Sequence, residues 1–209
     1  MVAVSRRIAS LVLSCGVLVV PVASLDAAAL NAGLNATAAE AEPAGNLVRN
    51  GGFEQPVISR PWRPFFAGGE RRIPGWRVVR RSVDLVGTDW PAGKGAQSLG
   101  VNGFRPGWIM QKVPTAENTT YRLSFLLWGD PNGPPRVSRL AVRWNLQRVR
   151  TFTIDVREQQ TWRRVSVLVD STTVGTPLGF RGRSGGNAGP AIDAVRVRPV
   201  PEEHSVDQP

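Results

Sequence analysis

The stretch Tyr121–Trp128, YRLSFLLW, decides the fold. Its alternate positions are large and apolar (Tyr, Leu, Phe, Leu), and the positions between them are mixed in character. A period of two is typical of a β-strand whose two faces lie in different surroundings. The segment Val165–Val169, VSVLV, repeats this pattern. Both segments therefore predict strands with one face in an apolar core.

Working outward from these two segments, the chain shows further short apolar runs separated by turn residues such as Asn-Gly and Pro-x-Gly. No stretch keeps a helical period of 3.6, and no internal repeat is present, which disfavours a propeller or a solenoid. About ten short strands around one core predict an all-β fold, an antiparallel β-sandwich of the jelly-roll type. The further predicted strands are 47–49, 76–86, 97–101, 108–113, 140–144, 149–154, 178–181 and 192–197.

Length and composition narrow the function classes. The 209 residues are 42% hydrophobic and 20% charged, which suits one packed domain with some extra length. The one histidine, His204, and the one cysteine, Cys15, lie far apart near the two ends of the chain. This distribution excludes Cys/His zinc sites, Ser-His-Asp triads and an internal disulfide.

The N-terminal segment has the features of a secretory signal. Arg6 and Arg7 precede an apolar run from Ile8 to Val22, which is short for a membrane span, and alanine-rich cleavage positions follow. A lipoprotein signal at Cys15 and a twin-arginine signal are the lower-ranked alternatives. We expect a secreted protein, extracellular or associated with the cell wall, without a transmembrane segment in its mature form. The predicted organisation is a signal peptide (1–29), a flexible Ala-rich linker (30–45), the β-sandwich (46–199) and a disordered tail (200–209).

Several short motifs together resemble one protein family. They are Asn46–Glu54 (NLVRNGGFE), Ile73–Trp76 (IPGW), Ser82–Gly87 (SVDLVG) and Gly189–Val195 (GPAIDAV). In this order and spacing they resemble the domain-of-unknown-function 642 family, over residues 46–198. The resemblance implies a galactose-binding-like jelly roll that is secreted and binds carbohydrate or cell wall.

The opening and closing motifs also resemble those of secreted carbohydrate-binding modules, whose first and last strands hold a structural calcium ion. Glu54 and Asp193 are the carboxylates at the matching positions. Asp193 has the same parity as Val195 and Val197, which predicts that it points inward and needs a partner. Calcium takes six to eight oxygen ligands, so backbone carbonyls and water would have to complete the set. The alternative is that Asp193 accepts backbone hydrogen bonds and Glu54 is a solvated turn residue.

Charge gives a second indication of partners. From residue 46 onward, 24 Lys and Arg residues stand against 13 Asp and Glu, a formal charge of +11, and only two of the cations are lysines. Many of the arginines alternate with apolar residues in predicted strands, so several are expected to share a solvated sheet face. Arginine suits carboxylate and phosphate groups, which makes an anionic polysaccharide a candidate partner. The charge could equally serve solubility alone, and nucleic acid is not expected because no recognised nucleic-acid motif is present.

Tryptophans give the third indication, since their rings either stack on sugars or fill cores. Trp76, Trp144 and Trp162 lie within strand patterns or next to them and are predicted to be core residues. Trp62, Trp90 and Trp108 stand beside turn residues and are predicted to be accessible.

We expect Trp90 to be the principal ligand contact, because Asp89, Lys94 and Gln97 could offer polar contacts to sugar hydroxyls beside it. Trp62 is the second candidate. The acidic residues show no recognisable glycosidase pair, and no nucleotide-binding motif is present. The sequence therefore predicts a secreted, non-catalytic carbohydrate-binding module for cell-wall or extracellular polysaccharide. The alternative is a structural or protein-interaction module that docks on an anionic cell wall or on a protein partner through an arginine-rich face.

Overall fold

The computed structural model describes residues 45–159 and 161–201. The predicted signal peptide, nearly all of the predicted linker and residues 202–209 of the predicted tail lie outside the described residues. Over the described ranges the regular elements are all strands, and no helix there is long and apolar enough to cross a membrane. The strands are β1 (Trp62–Phe66), β2 (Arg77–Arg80), β3 (Ser82–Val86), β4 (Ser98–Gly100), β5 (Trp108–Val113), β6 (Thr119–Gly129), β7 (Val137–Trp144), β8 (Gln147–Asp155), β9 (Arg163–Ser171), β10 (Thr176–Gly182) and β11 (Pro190–Pro199).

The strands form two antiparallel sheets. The six-stranded sheet has the order β1-β3-β4-β11-β6-β9, and the five-stranded sheet has the order β2-β5-β10-β7-β8. The last strand, β11, pairs with β4 and β6 in the middle of the first sheet. This arrangement confirms the predicted all-β, antiparallel jelly-roll sandwich.

The core lies between the sheets and follows from the alternation in sequence. In β6, Tyr121, Leu123, Phe125 and Leu127 are all buried in it. Phe125 meets Phe180 of the opposite sheet with ring centroids 5.1 Å apart. Apolar burial of this kind is the main stabilising term of the fold. The prediction that Trp76 and Trp144 are core residues agrees with their burial.

One strand was missed, and two strand predictions were wrong. Strand β1 was missed because prolines precede it and lie within it; Pro64 is tolerated because β1 is an edge strand. The predicted strand 76–86 is divided into β2 and β3 at Arg81, whose φ is +56°. Residues 47–49 are not a regular strand, although the Leu47 N–H donates to the Val197 carbonyl.

Strand β11 carries a β-bulge that corrects the predicted direction of Asp193. The pairing register with β6 shifts between Asp193 and Arg196, and Ala194 in the bulge has a φ of +47°. Ile192 and Val195 therefore both face the core, whereas Asp193 lies opposite Leu126 on the outer face. The prediction from parity was wrong because the bulge inserts one extra residue into the strand, so that residues before and after it no longer alternate in step. Asp193 is nevertheless fully buried, because a loop covers it.

Candidate functional site

A cleft of about 430 Å³ lies on the outer face of the six-stranded sheet. Strand β3 supplies its floor, because Val83 and Leu85 point into the core and thereby turn Asp84 and Val86 outward. Strand β1 and the loops that follow β3, β4, β6 and β10 supply its walls. The lining residues are Trp62, Asp84, Val86, Asp89, Trp90, Gly103, Phe104, Asp130, Asn132 and Asn187.

One rim of the cleft is aromatic and open to solvent. Trp62 is 41% exposed and Phe104 is 60% exposed, and their ring centroids lie 6.3 Å apart in an edge-to-face arrangement. Phe66 stacks on the other side of Phe104 at 6.0 Å. Exposed apolar rings grouped in this way make this rim a candidate interaction surface.

The other side of the cleft is acidic. Burial and the nearby charge of Asp130 raise the pKa of Asp84 to about 7, and Asp84 Oδ1 has no hydrogen-bond partner among the described residues. Burial and the charge of Asp89 also raise the pKa of Asp130, against the lowering effect of the Asn132 N–H. Gly103 packs closely against β3: a Cβ there would come within 3.0 Å of Ser82 Cβ and within 3.1 Å of Asp84 Oδ1, an oxygen that is itself buried.

The amide of Asn132 joins two walls of the cleft. Its Nδ2 donates to Asp89 Oδ2 at 3.2 Å, which ties the loop after β6 to the loop after β3. Carboxyl and amide groups can both form hydrogen bonds with hydroxyl groups, because a hydroxyl group is at once a donor and an acceptor. The cleft thus combines flat apolar surface with carboxyl and amide groups.

Trp90 was predicted to be accessible, and this is wrong. It is only 7% exposed, and its indole N–H donates to Ser98 Oγ at 2.9 Å. Its ring meets Trp128 edge to face at 5.7 Å, and Trp128 in turn packs on Trp162. The three rings form a small apolar cluster on the outer face of the sheet, where Trp162 is only partly buried rather than in the main core. Trp90 is therefore a wall of the cleft and an anchor for the loop that carries it.

The structure places some of the remaining predicted ligand contacts in the cleft and others outside it. Asp89 and Trp62 line the cleft together with Trp90. Gln97 is buried away from it: its Oε1 accepts from the Ile58 N–H, and its Nε2 donates to the Phe53 and Pro56 carbonyls. Lys94 is exposed and does not line the cleft. A ligand role for Trp62, Trp90 and Asp89 stays a prediction, and the structure assigns Gln97 a structural role.

Glu54 and Asp193 come together beneath the loop 93–97. Asp193 Oδ2 accepts the Lys94 N–H at 2.7 Å, and Oδ1 accepts the Ala194 N–H at 2.5 Å. Glu54 Oε1 accepts the N–H groups of Ala96 and Gln97 at 3.0 and 3.2 Å. Burial, and to a smaller extent the charge of Glu54, raises the pKa of Asp193 to about 7.

These contacts leave the predicted calcium ion untested. The hydrogen-bond partners of the two carboxylates are backbone N–H groups, and a calcium ion would need further oxygen ligands from carbonyls or water to reach six to eight. Across the part of the chain that the structure describes, no cluster of three or more His, Cys, Asp or Glu side chains could hold a metal. Calcium stays a sequence-based prediction that the described contacts neither use nor require.

A second group of residues lies on the outer face of the five-stranded sheet. Arg80 and Arg181 each pair with Trp108 across neighbouring strands. Arg143 reaches the same ring from β7, with its guanidinium carbon 5.4 Å from the ring centroid. Trp108 is half-buried by these contacts rather than freely accessible as predicted.

Sequence reasoning missed four cleft residues that the fold brings together: Asp84, Phe104, Asp130 and Asn132. Asp84 alternates with Val83 and Leu85, a pattern that already indicated an outward carboxylate. Phe104 follows the Asn102-Gly103 turn, and Asp130 and Asn132 lie in a Pro-Gly turn, so their positions indicated exposure. Their convergence on one cleft depends on strand order, which local patterns do not contain.

Two antiparallel sheets, with β11 in the interior of one of them, define an antiparallel β-sandwich of the jelly-roll type. Residues 46–198 match the family described as "Protein of unknown function (DUF642)", and the chain belongs to that family. No curated protein matches the chain.

Among solved structures, the chain is similar in fold to carbohydrate-binding modules. A family 16 module has a TM-score of 0.49 and 18% identity, over 73% of this chain and 99% of the module. TmCBM61, solved with β-1,4-galactotriose, has a TM-score of 0.46 and 18% identity, over 74% and 99% of the two chains. CBM35 from Paenibacillus barcinonensis has a TM-score of 0.44 and 16% identity, over 65% and 97%.

The raised pKa values of Asp84 and Asp193 predict how stability depends on pH. Between the ordinary value of 3.8 and about 7, the folded protein keeps protons that the unfolded chain has released. The free energy of unfolding should therefore fall as the pH rises through this window and level off above it. Asp84→Asn should make the fall shallower, measured by urea unfolding at a series of pH values. The exposed Glu117→Gln variant is the control, and an unchanged slope in Asp84→Asn would contradict the assignment.

Calcium dependence is tested by melting temperature. Because N–H donors already satisfy Glu54 and Asp193, we expect the same melting temperature in millimolar calcium and in excess chelator. A rise with calcium that Asp193→Asn abolishes would instead support the sequence-based prediction of a structural ion. The comparison at pH 8 is the most sensitive, because Asp193 is then ionised and available to a cation.

Proposed function

We propose that this protein is a non-catalytic module that binds cell-wall or extracellular polysaccharide in the cleft beside Trp62. The observation that supports the proposal most is the open aromatic rim of Trp62 and Phe104 facing the carboxyls and amides of Asp84, Asp89 and Asn132. A pyranose ring has an apolar face and a belt of hydroxyls. The aromatic rim suits the apolar face of the sugar, and the polar side of the cleft suits its hydroxyls.

The acidic character of the cleft narrows the class of sugar that it can bind. Asp84, Asp89 and Asp130 all line it, in a chain that is strongly cationic elsewhere. Ionised aspartates would repel an anionic sugar. Keeping the aspartates protonated to avoid this repulsion would cost free energy and weaken binding. The cleft therefore favours a neutral sugar, bound mainly through ring stacking and hydrogen bonds.

Such binding should depend little on salt. Stacking and neutral hydrogen bonds are not screened, whereas attraction between charges at the surface weakens over a Debye length of roughly 8 Å at physiological ionic strength. Retention on an insoluble neutral polysaccharide in high salt is thus the characteristic to look for first.

A second candidate function is docking on an anionic cell wall, or on an acidic protein partner, through the arginine-rich face around Trp108. The pairing of Arg80 and Arg181 with Trp108 favours it. In contrast to the cleft, this mode should weaken steeply as salt rises, which separates the two candidates in one experiment.

The signal-peptide features support a location outside the cytoplasmic membrane. We expect expression of the full chain in a secreting host to yield an extracytoplasmic product shortened by about 29 residues. Mass spectrometry of the secreted product checks this. Retention of the intact N-terminus in the cytoplasm would contradict it.

Trp62→Ala should weaken binding to the neutral polysaccharide that retains the wild-type protein. Loss of a central aromatic contact typically costs about tenfold or more in affinity. Phe104→Ala should act in the same direction, and affinity electrophoresis or calorimetry measures both. Leu168→Ala is the matched control, since Leu168 is 58% exposed on β9, outside the cleft.

Equal affinities for Trp62→Ala, Leu168→Ala and wild type would overturn the proposed cleft. The same samples are assayed for new reducing ends, because Asp84 and Asp130 have the raised pKa values that a general acid can also show. Release of reducing ends that Asp84→Asn abolishes would contradict the non-catalytic part of the proposal.

A further inference from the structure

The arginine face consists of Arg80, Arg143, Arg181 and Arg183, arranged around Trp108 on the outside of the five-stranded sheet. Alternation puts them there: Phe180 and Ile109 face the core, so Arg181 and Trp108, which pair with each other, face outward. Arg80 continues the row on β2. Three adjacent strands thus place Arg80 and Arg181 at the register positions on the two sides of Trp108.

A glycine allows a third arginine to join the row. Gly179 of β10 lies between Trp108 and Arg143, and a side chain there would come within 3.0 Å of Trp108 Nε1. With this space open, the guanidinium carbons of Arg143 and Arg181 lie 5.4 and 5.9 Å from the indole centroid. These cation–π contacts orient both side chains, and Arg143 is held in addition by a hydrogen bond that it donates to the Leu146 carbonyl.

The four arginines have no acidic partner among the residues that the structure describes. Within residues 45–159 and 161–201, no ion pair involves Arg80, Arg143, Arg181 or Arg183. Partial burial, together with the charges of Arg183, Arg80 and Arg143, lowers the pKa of Arg181. Like charges held together without counter-charges repel one another, and a bound anion would relieve the repulsion.

A pocket of about 210 Å³ opens within this face. Arg80 and Arg81 line one side, and Arg181 and Arg183 line the other, with Ser184 and Gly185 at the end. It is smaller than the ~300–1,000 Å³ that is usual for drug-sized ligands, so it suits one acidic group and the ring that carries it. A guanidinium group presents a planar fork of donors that matches an oxyanion through two parallel hydrogen bonds.

We propose that the arginine face is a second binding site, separate from the cleft, that recognises the oxyanion groups of an acidic polysaccharide. The inference does not depend on the sugar cleft, which lies on the other sheet. It specifies the second candidate function by naming the residues and the recognised group.

The surroundings favour a polysaccharide over a nucleic acid. Proteins that bind single strands interleave basic residues with exposed aromatic rings, on which the bases stack. Here the ring of Trp108 is occupied by guanidinium groups. The exposed rings of Trp62, Phe66 and Phe104 lie on the other sheet, close to carboxylates.

The test measures binding of the full-length protein at low salt to alginate, which carries carboxylates, and to dextran sulfate, which carries sulfates. The propylene glycol ester of alginate and plain dextran are their uncharged counterparts. We expect binding to at least one acidic polymer and at least tenfold weaker binding to its uncharged counterpart. The preferred polymer shows which oxyanion the site takes.

Arg80→Gln/Arg183→Gln should weaken this binding about tenfold or more, since charge-assisted hydrogen bonds are lost at two exposed positions. Arg122→Gln/Arg164→Gln is the matched control: it removes the same charge from exposed positions on the other sheet, and it should change affinity less than about twofold. Arg80→Lys/Arg183→Lys keeps the charge but removes the forks, and it should still lose most of the affinity.

Three results would overturn the proposal. The first is an equal loss of affinity in the two glutamine double variants. The second is equal binding of the acidic polymer and its uncharged counterpart. The third is equally tight binding of duplex DNA that depends on Arg80 and Arg183 in the same way. Trp62→Ala should leave binding to the acidic polymer unchanged, so failure of this site and failure of the cleft are distinguishable. Melting temperatures of all variants confirm that they are folded.

Discussion

The buried carboxylate of Asp193 determines how the outer face of the six-stranded sheet is covered. The bulge at Ala194 turns this side chain away from the core, in the strand that lies at the middle of the sheet. A carboxylate buried there needs donors, and backbone N–H groups of the loop 93–97 supply them, together with Ala194 N–H. Glu54 binds the same loop through Ala96 and Gln97. Two carboxylates thus hold one loop against the sheet.

The position of this loop produces the cleft. Once residues 93–97 are fixed, Trp90 lies against Ser98 and Trp128, and Asp89 lies within reach of Asn132. Trp62 of β1 and Phe104 then remain as the open rim. The arginine face follows from a different constraint, the space that Gly179 leaves between Trp108 and Arg143. The domain therefore carries two outer sites of opposite character, an acidic and aromatic cleft on one sheet and the cationic arginine face on the other.

The strands and the core could be predicted because alternation in segments such as 121–128 is a local property that burial preserves. Strand β1 could not be predicted, because its prolines are tolerated only at a sheet edge, and the edge is defined by strand order. The direction of Asp193 was predicted wrongly because the bulge shifts the parity. Trp90 illustrates the same limit, since its neighbours suggest a turn, whereas its burial comes from Trp128, which is distant in sequence. Trp62 and Asp89 were found from sequence, but their convergence with Asp84 and Asn132 needs the assembled sheet.

The most direct test of two separate faces uses the indole N–H resonances of the tryptophans, assigned by substitution and followed by NMR during titration. With a neutral polysaccharide fragment that binds in high salt, the account predicts that the Trp62 resonance shifts while those of Trp108, Trp76 and Trp144 stay in place. With an acidic oligosaccharide at low salt, Trp108 should shift and Trp62 should not. A neutral ligand that moves Trp108 and leaves Trp62 unchanged would contradict the account.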